Sequence, residues 1–407
     1  MAGSDVLVFL RRRRMHALWL LFFLTLVSTA VGCAAPAQAC DALARLADGQ
    51  GDASAALADC LERTPAHGRV ELRPGVYRLQ QPLLITRPVT ILTRGTTAGS
   101  PSCTQSDTGC ATLLLDPRRF PESGAMSFEV TSDAVTLDRL IIRGVQPTGR
   151  LRGACGRPDQ RPAAGGLRVH GVSQFRLTRS VLRDFTCYTA LELTAGARNF
   201  VIQANVFGPN GDHRPGEVWS DGLTIHDAAN AVVQDNRFFD NTDVQLVLGG
   251  CRNCRIERNA FSHSGTFRGA AFAELMLHAW PNTSGDFTGT LVSGNRIDCG
   301  AQRRCGYGIM IGSAPWYSGR TSGGIVADNI VSNALVGINI DALTGPMDIR
   351  DNKVRTSGGR HRSDCGVRDW PAVNVGPESR SLVRGDPSDL DEGSVTTRGC
   401  LLAREGD

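Results

Sequence analysis

One side chain recurs along this sequence at a spacing that few folds can use: an asparagine followed two residues later by an apolar residue. It appears as Asn205-Val206-Phe207, Asn236-Arg237-Phe238, Asn259-Ala260-Phe261, Asn295-Arg296-Ile297, Asn329-Ile330-Val331 and Asn352-Lys353-Val354. The gaps between successive asparagines are 31, 23, 36, 34 and 23 residues, a base of 23 with or without an insertion. A second pattern runs in phase with it: Leu167-x-Val169, Leu191-x-Leu193, Leu223-x-Ile225, Leu246-x-Leu248, Leu275-x-Leu277, Ile309-x-Ile311, Ile338-x-Ile340 and Val373-x-Val375. Apolar-x-apolar is the period of a strand with one buried face. A unit of this length fits three short strands and three turns. Such coils stack about 4.8 Å apart, the spacing of hydrogen-bonded strands. Asparagines then lie over one another at one turn, where their amides bond to backbone and to each other. Leucine-rich repeats space their leucines differently, and propeller blades need about 40 residues or more. Hairpin signals for an antiparallel barrel are scarce. The pattern predicts an all-β chain, a parallel β-helix.

Composition agrees. The 407 residues contain only 6 % aromatics, which suits a solenoid filled by Val, Ile and Leu. The 46 glycines and 19 prolines are spread along the length, as many turns require. A net charge of +4 is too mild to argue for nucleic acid.

The ends differ from the repeat. Residues 1–39 read as an export signal, with Arg11 to Arg14 as the basic region and Leu18 to Val31 as the apolar run. Two processing sites are available. Ala37-Gln38-Ala39 is a small-residue signal before Cys40, and Ala30-Val31-Gly32-Cys33 resembles a bacterial lipobox. The second would leave a lipid anchor at Cys33, the one route to a membrane short of an uncleaved anchor helix. The expected location is therefore outside the cytoplasm: periplasm, outer membrane or secreted. Residues 40–64 look helical and suit a cap, expected over 40–67, above the first coil, whose edge would otherwise invite pairing. The coils are expected over 68–375, and a polar C-terminal cap over 376–407. Twelve cysteines beyond Cys33 fall in close sequential pairs: Cys40 with Cys60, Cys103 with Cys110, Cys155 with Cys187, Cys251 with Cys254, Cys299 with Cys305, and Cys365 with Cys400. Local disulfides are the natural reading in an oxidising compartment.

The insertions point to a site. Gly208 to Trp219, Pro281 to Gly289 and Ala314 to Gly324 all border the strands carrying the apolar-x-apolar pattern. Long loops along one face of a regular scaffold make a cleft. They and their margins supply Trp219, Trp280, Trp316 and Tyr317, rings suited to stacking on sugars. Alternation turns His170, His226 and His278 outward in one column, and Arg168 and Glu192 outward in the next. Asp221, Asp243 and Glu274 precede the inward pair on three successive coils. Asp221 is inward by parity and needs a bend to face out. His226 is the first candidate for moving protons near neutral pH, with Asp227 to orient it. The expected catalytic set is His226, Asp221, Asp243, Glu274 and His278. Substrate contacts are expected from Arg168, His170, Glu192, Gln245, Arg268 and the four aromatic residues. No cofactor is expected unless the three carboxylates hold calcium.

On these motifs the chain resembles the pectin-lyase-like superfamily of right-handed parallel β-helices. Gly68-Arg69-Val70-Glu71-Leu72-Arg73-Pro74-Gly75-Val76-Tyr77-Arg78-Leu79 is similar to their entry segment. Ser220-Asp221-Gly222-Leu223-Thr224-Ile225 and Asp243-Val244-Gln245-Leu246 resemble polygalacturonase strands, which implies hydrolysis by aspartates. In place of two of that family's acids stand Thr224 and Val244. Thr224-Ile225-His226-Asp227 resembles the D-P-H-D/E motif of mannuronan C5-epimerases and related alginate lyases. That implies proton abstraction at C5 of a uronic acid, with Arg168, Arg268 or a histidine neutralising its carboxylate. Lyase or epimerase action on an acidic polysaccharide is the leading expectation. An inverting hydrolase using Asp221 and Asp243, and a non-catalytic polysaccharide-binding protein, are the alternatives.

Overall fold

The computed structural model describes residues 38–39, 41–97, 100, 102–116, 126–145, 165–213, 219–312, 317, 319–388, 393 and 402. Residues 1–37 of the expected export segment, Cys33 among them, and Trp316 lie outside them. Three long sheets carry the chain, of 12, 11 and 11 strands, and among the described residues the pairings within them are parallel. Each coil contributes one strand to each sheet in turn, so the structure is the expected right-handed parallel β-helix.

The in-phase apolar pattern is the interior. Leu167, Leu191, Leu223, Leu246, Leu275, Ile309, Ile338 and Val373 pair in register on successive strands of the third sheet. All eight are fully buried. Phe207, Phe238 and Phe261 stack behind them with ring centroids 4.9 Å apart. That distance is the coil spacing, so the rings follow the backbone repeat.

The asparagines form the expected ladder. The Asn259 Oδ1 accepts from the Asn236 backbone N–H at 3.1 Å and from Asn236 Nδ2 at 3.0 Å, while its own Nδ2 donates to the Val233 carbonyl and to Asn295 Oδ1. The same bonds repeat from Asn205 to Asn352. The residue before each rung takes a left-handed turn: Ala204, Asp235, Arg258, Gly294, Asp328 and Asp351 have φ between 54° and 64°. The ladder satisfies turn groups that would otherwise be buried without partners.

The ends refine the expected boundaries. Helices Asp41–Ala44 and Ser54–Arg63 lie over the N-terminal end, with Leu57 and Leu61 buried. Stacking nevertheless begins before residue 68, because Asp48–Asp52 pairs with the Gly75–Leu79 strand. Gln38–Ala39 pairs with Val70 and Glu71, so cleavage after Ala39 would remove a strand. Near the other end, Gly359–Ser363 and Gly366–Trp370 form an antiparallel hairpin, and Val383–Arg384 adds a last strand within the segment expected to be cap. Disulfides join Cys103 to Cys110, Cys251 to Cys254 and Cys299 to Cys305. Cys60, Cys187 and Cys365 are also disulfide-bonded, and their expected partners lie outside the described residues.

Candidate functional site

Strict alternation fails at one point in three successive coils of the third sheet, and that failure builds the site. Gly222 and Leu223 both face inward, as do Gln245 with Leu246 and Glu274 with Leu275. Gln245 and Glu274 are wholly buried. The residue two before each leucine is thereby turned outward. Asp221 and Val244 hold that position and line the cleft, together with Asp243. Glycine is required at 222, because a Cβ there would stand 2.5 Å from the Gln245 carbonyl and 2.8 Å from Asn241 Nδ2.

The cleft measures about 280 Å³ and is lined by Tyr188, Thr189, Trp219, Asp221, Thr224, His226, Asp243, Val244, Val247, Met276, His278, Trp280 and Tyr317. Asp221 is gripped at both oxygens: Oδ1 accepts from the Val244 N–H at 3.0 Å and Oδ2 from the Thr224 hydroxyl at 2.9 Å. The first bond reaches the residue next to Asp243, so the two acids sit on adjacent coils of one wall. His278 lies deeper, near the Tyr317 ring with centroids 5.7 Å apart. Burial lowers its pKa to about 4 despite a hydrogen bond to the Gly312 backbone, so it is neutral at neutral pH.

A second network stands at the same wall. Glu192 is buried and accepts from His226 Nε2 at 2.9 Å, Tyr188 Oη at 2.7 Å and Arg168 Nε at 2.6 Å. Burial pushes its pKa up, but the His226 hydrogen bond, the Arg168 charge and the Tyr188 hydroxyl outweigh that and bring it to about 2. Desolvation and the Glu192 charge push the Tyr188 phenol upward, so it stays a donor. His226 also meets the Trp280 ring edge-on at 5.1 Å. Trp280 reaches it because Gly249 has no side chain; a Cβ there would lie 2.8 Å from the indole.

Several expected residues stand elsewhere. Glu274 does not face the cleft: its Oε1 is 2.7 Å from His263 Nε2 inside the coil. Gln245 is likewise interior, accepting from Asn241. Alternation assigned both outward because it did not anticipate the doubled inward positions. Asp227 does not orient His226. Its carboxylate accepts from the Ser284 N–H at 2.9 Å and the Ser284 hydroxyl at 2.6 Å, which ties down the loop behind Trp280. Glu192 orients His226 instead. Arg168 and Glu192 are spent on each other rather than on the cleft. His170 sits 3.0 Å from Glu129 and Arg268 3.1 Å from Asp212, and neither lines the cleft. Tyr188 and Thr189 were not singled out by the sequence, and Thr224 was noted only as standing in place of a family acid; Tyr188 and Thr224 act through hydrogen bonds within their own coils, to Glu192 and Asp221. Glu274, Cys299 and Cys305 are the only metal-capable cluster among the described residues, and both cysteines are disulfide-bonded.

No family model and no curated protein sequence matches the chain. Solved structures do. Polygalacturonase from Erwinia carotovora ssp. carotovora aligns with TM-score 0.51 and 11 % identity, over 76 % of this chain and 90 % of that one. Alginate lyase from Paenibacillus sp. str. FPU-7 aligns with TM-score 0.51 and 11 % identity, over 74 % and 92 %. The Streptococcus pneumoniae surface protein and adhesin PfbA aligns with TM-score 0.50 and 12 % identity, over 88 % and 98 %. The chain shares the parallel β-helix fold with these structures. That fold is shared by proteins named as a polygalacturonase, an alginate lyase and an adhesin, so function has to be argued from the cleft.

Proposed function

We propose that this chain is an exported polysaccharide hydrolase in which Asp221 and Asp243 flank the bond that is cut. The carrying observation is their placement: two carboxylates on adjacent coils of a cleft walled by Trp219, Trp280 and Tyr317. Hydrolysis of a glycosidic bond needs one carboxyl group to protonate the leaving oxygen and a second to act on water or on the sugar. Asp221 suits the ionised role, because two donors hold its oxygens. Asp243 is then the acid. The rings supply flat apolar faces for sugar stacking. Among the described residues no arginine or lysine lines the cleft, which favours an uncharged sugar at the cleavage position over the uronic acid expected from sequence. Several disulfides fit an oxidising compartment and support export.

A second reading is C5 proton abstraction, favoured by the Glu192–His226 pair. With Nε2–H donating to an ionised Glu192, Nδ1 is the nitrogen that accepts a proton. The test is a panel of arabinoxylan, β-glucan, polygalacturonate and alginate. Hydrolysis releases reducing ends without ultraviolet absorbance, elimination creates absorbing unsaturated ends, and epimerisation exchanges the C5 proton without cleavage. Binding without any of these would leave a non-catalytic glycan-binding protein.

A further inference from the structure

The cleft floor is sealed on its C-terminal side. In register, the outward positions run from Val244 and Val247 to Ala273 and Met276, then to Tyr307 and Met310. Val244, Val247 and Met276 line the cleft. One coil on, Tyr307 and Met310 are 0 % exposed, although they stand on the outer face of the solenoid. Trp370 and Leu402 close over them in one apolar cluster that also contains the cleft-floor residues. Trp370 ends the antiparallel hairpin, and Leu402 bridges to Ser363 on its other strand. The cleft therefore runs along the coils from Tyr188 and stops against a wall built by the chain's C-terminal region.

We infer that the site takes the end of a glycan chain, not its middle. This rests on the cleft being the glycan site, as proposed above. A chain lying across stacked coils advances about one coil for every 4.8 Å. It cannot continue past Met276 while Tyr307 and Met310 are covered. The terminal sugar then rests against Met276, His278 and Tyr317, and cleavage beside Asp221 releases a short fragment.

Binding stoichiometry tests this without needing turnover. Asp221→Asn protein is titrated calorimetrically with size-fractionated arabinoxylan, polygalacturonate and alginate. For whichever polymer binds, end recognition predicts that sites per gram fall about tenfold when chain length rises tenfold, since each chain offers one end of the fitting kind. Sites per gram that do not change with length would overturn the inference, while leaving the hydrolase reading intact if the wild type still cuts. End-limited binding without cleavage by the wild type would keep the inference and remove the hydrolase. Binding to none of the three would overturn end recognition together with the glycan reading. Opening the wall gives a second measure: Trp370→Ala, or the milder Leu402→Ala should the first not fold, makes sites per gram independent of length. Length-dependent sites in a folded Trp370→Ala protein would show that the wall is not the stop.

Discussion

Asp221 faces the cleft because its coil places two residues in a row inside, and its two hydrogen bonds fix how it points. Removing the Thr224 hydroxyl with Thr224→Val takes away one of them. An about tenfold fall in kcat follows, since a lost hydrogen bond of this kind is worth about 1–1.5 kcal/mol. Glu192 predicts a different effect. Glu192→Gln removes the charge that accepts from Arg168, which is half-buried and keeps Glu129 at 3.8 Å, and losing a charge-assisted hydrogen bond of this kind costs about 1.5–3 kcal/mol in urea unfolding. Its pKa is depressed in the folded state, so its stabilisation is present above the ordinary carboxylate range and is lost as pH falls through about 2. His263 behaves oppositely. It lies buried between Glu274 and Asp240, whose charges and hydrogen bonds overcome desolvation and raise its pKa to about 10. Its stabilisation is full below the usual histidine pKa and disappears as pH rises through about 10. His263→Gln should flatten the alkaline limb of the stability–pH curve. An alkaline limb identical to wild type would contradict that assignment. These residue-scale facts were partly legible. His226 and Asp243 could be placed on the outer face from sequence, whereas Asp221 was inward by parity and Glu274 and Gln245 proved to be interior. A two-residue period has no way to announce where it doubles.

The ladder is the element most legible in the sequence, because one side chain repeats where one backbone geometry repeats. Its energetic consequence follows from position. Asn259 serves the coils on both sides, and Asn352 ends the asparagine series. Asn259→Ala strips acceptor and donor from buried groups of two coils, at a cost of about 2–3 kcal/mol. Asn352→Ala should cost about half as much, and equal losses by thermal unfolding would refute a rung-by-rung account. Loops were legible only as insertions. Their anchoring was not, since the Asp227–Ser284 clamp joins residues 57 apart in sequence. The pairing of His226 with Glu192 was hidden in the same way, 34 residues apart.

At the scale of the whole molecule, each coil repeats a scaffold and each departure from the repeat adds function. Insertions raise walls on one sheet, doubled inward positions turn an acid into the cleft, and the C-terminal hairpin closes one end. The fold was readable because the repeat is periodic. The closed end was not, because Trp370 and Leu402 follow no period and meet Tyr307 only after the coils have stacked. The claim joining these scales is that Asp221 and Asp243 hydrolyse a glycosidic bond in this cleft. Reducing-end release from the polysaccharide panel, with ultraviolet absorbance followed in the same samples, tests it most directly. The account predicts reducing ends without absorbance from the wild type, and a loss of about 10²–10⁴-fold in Asp243→Asn protein that remains folded. Absorbing unsaturated ends, or undiminished release by a folded Asp221→Asn, Asp243→Asn double variant, would contradict it.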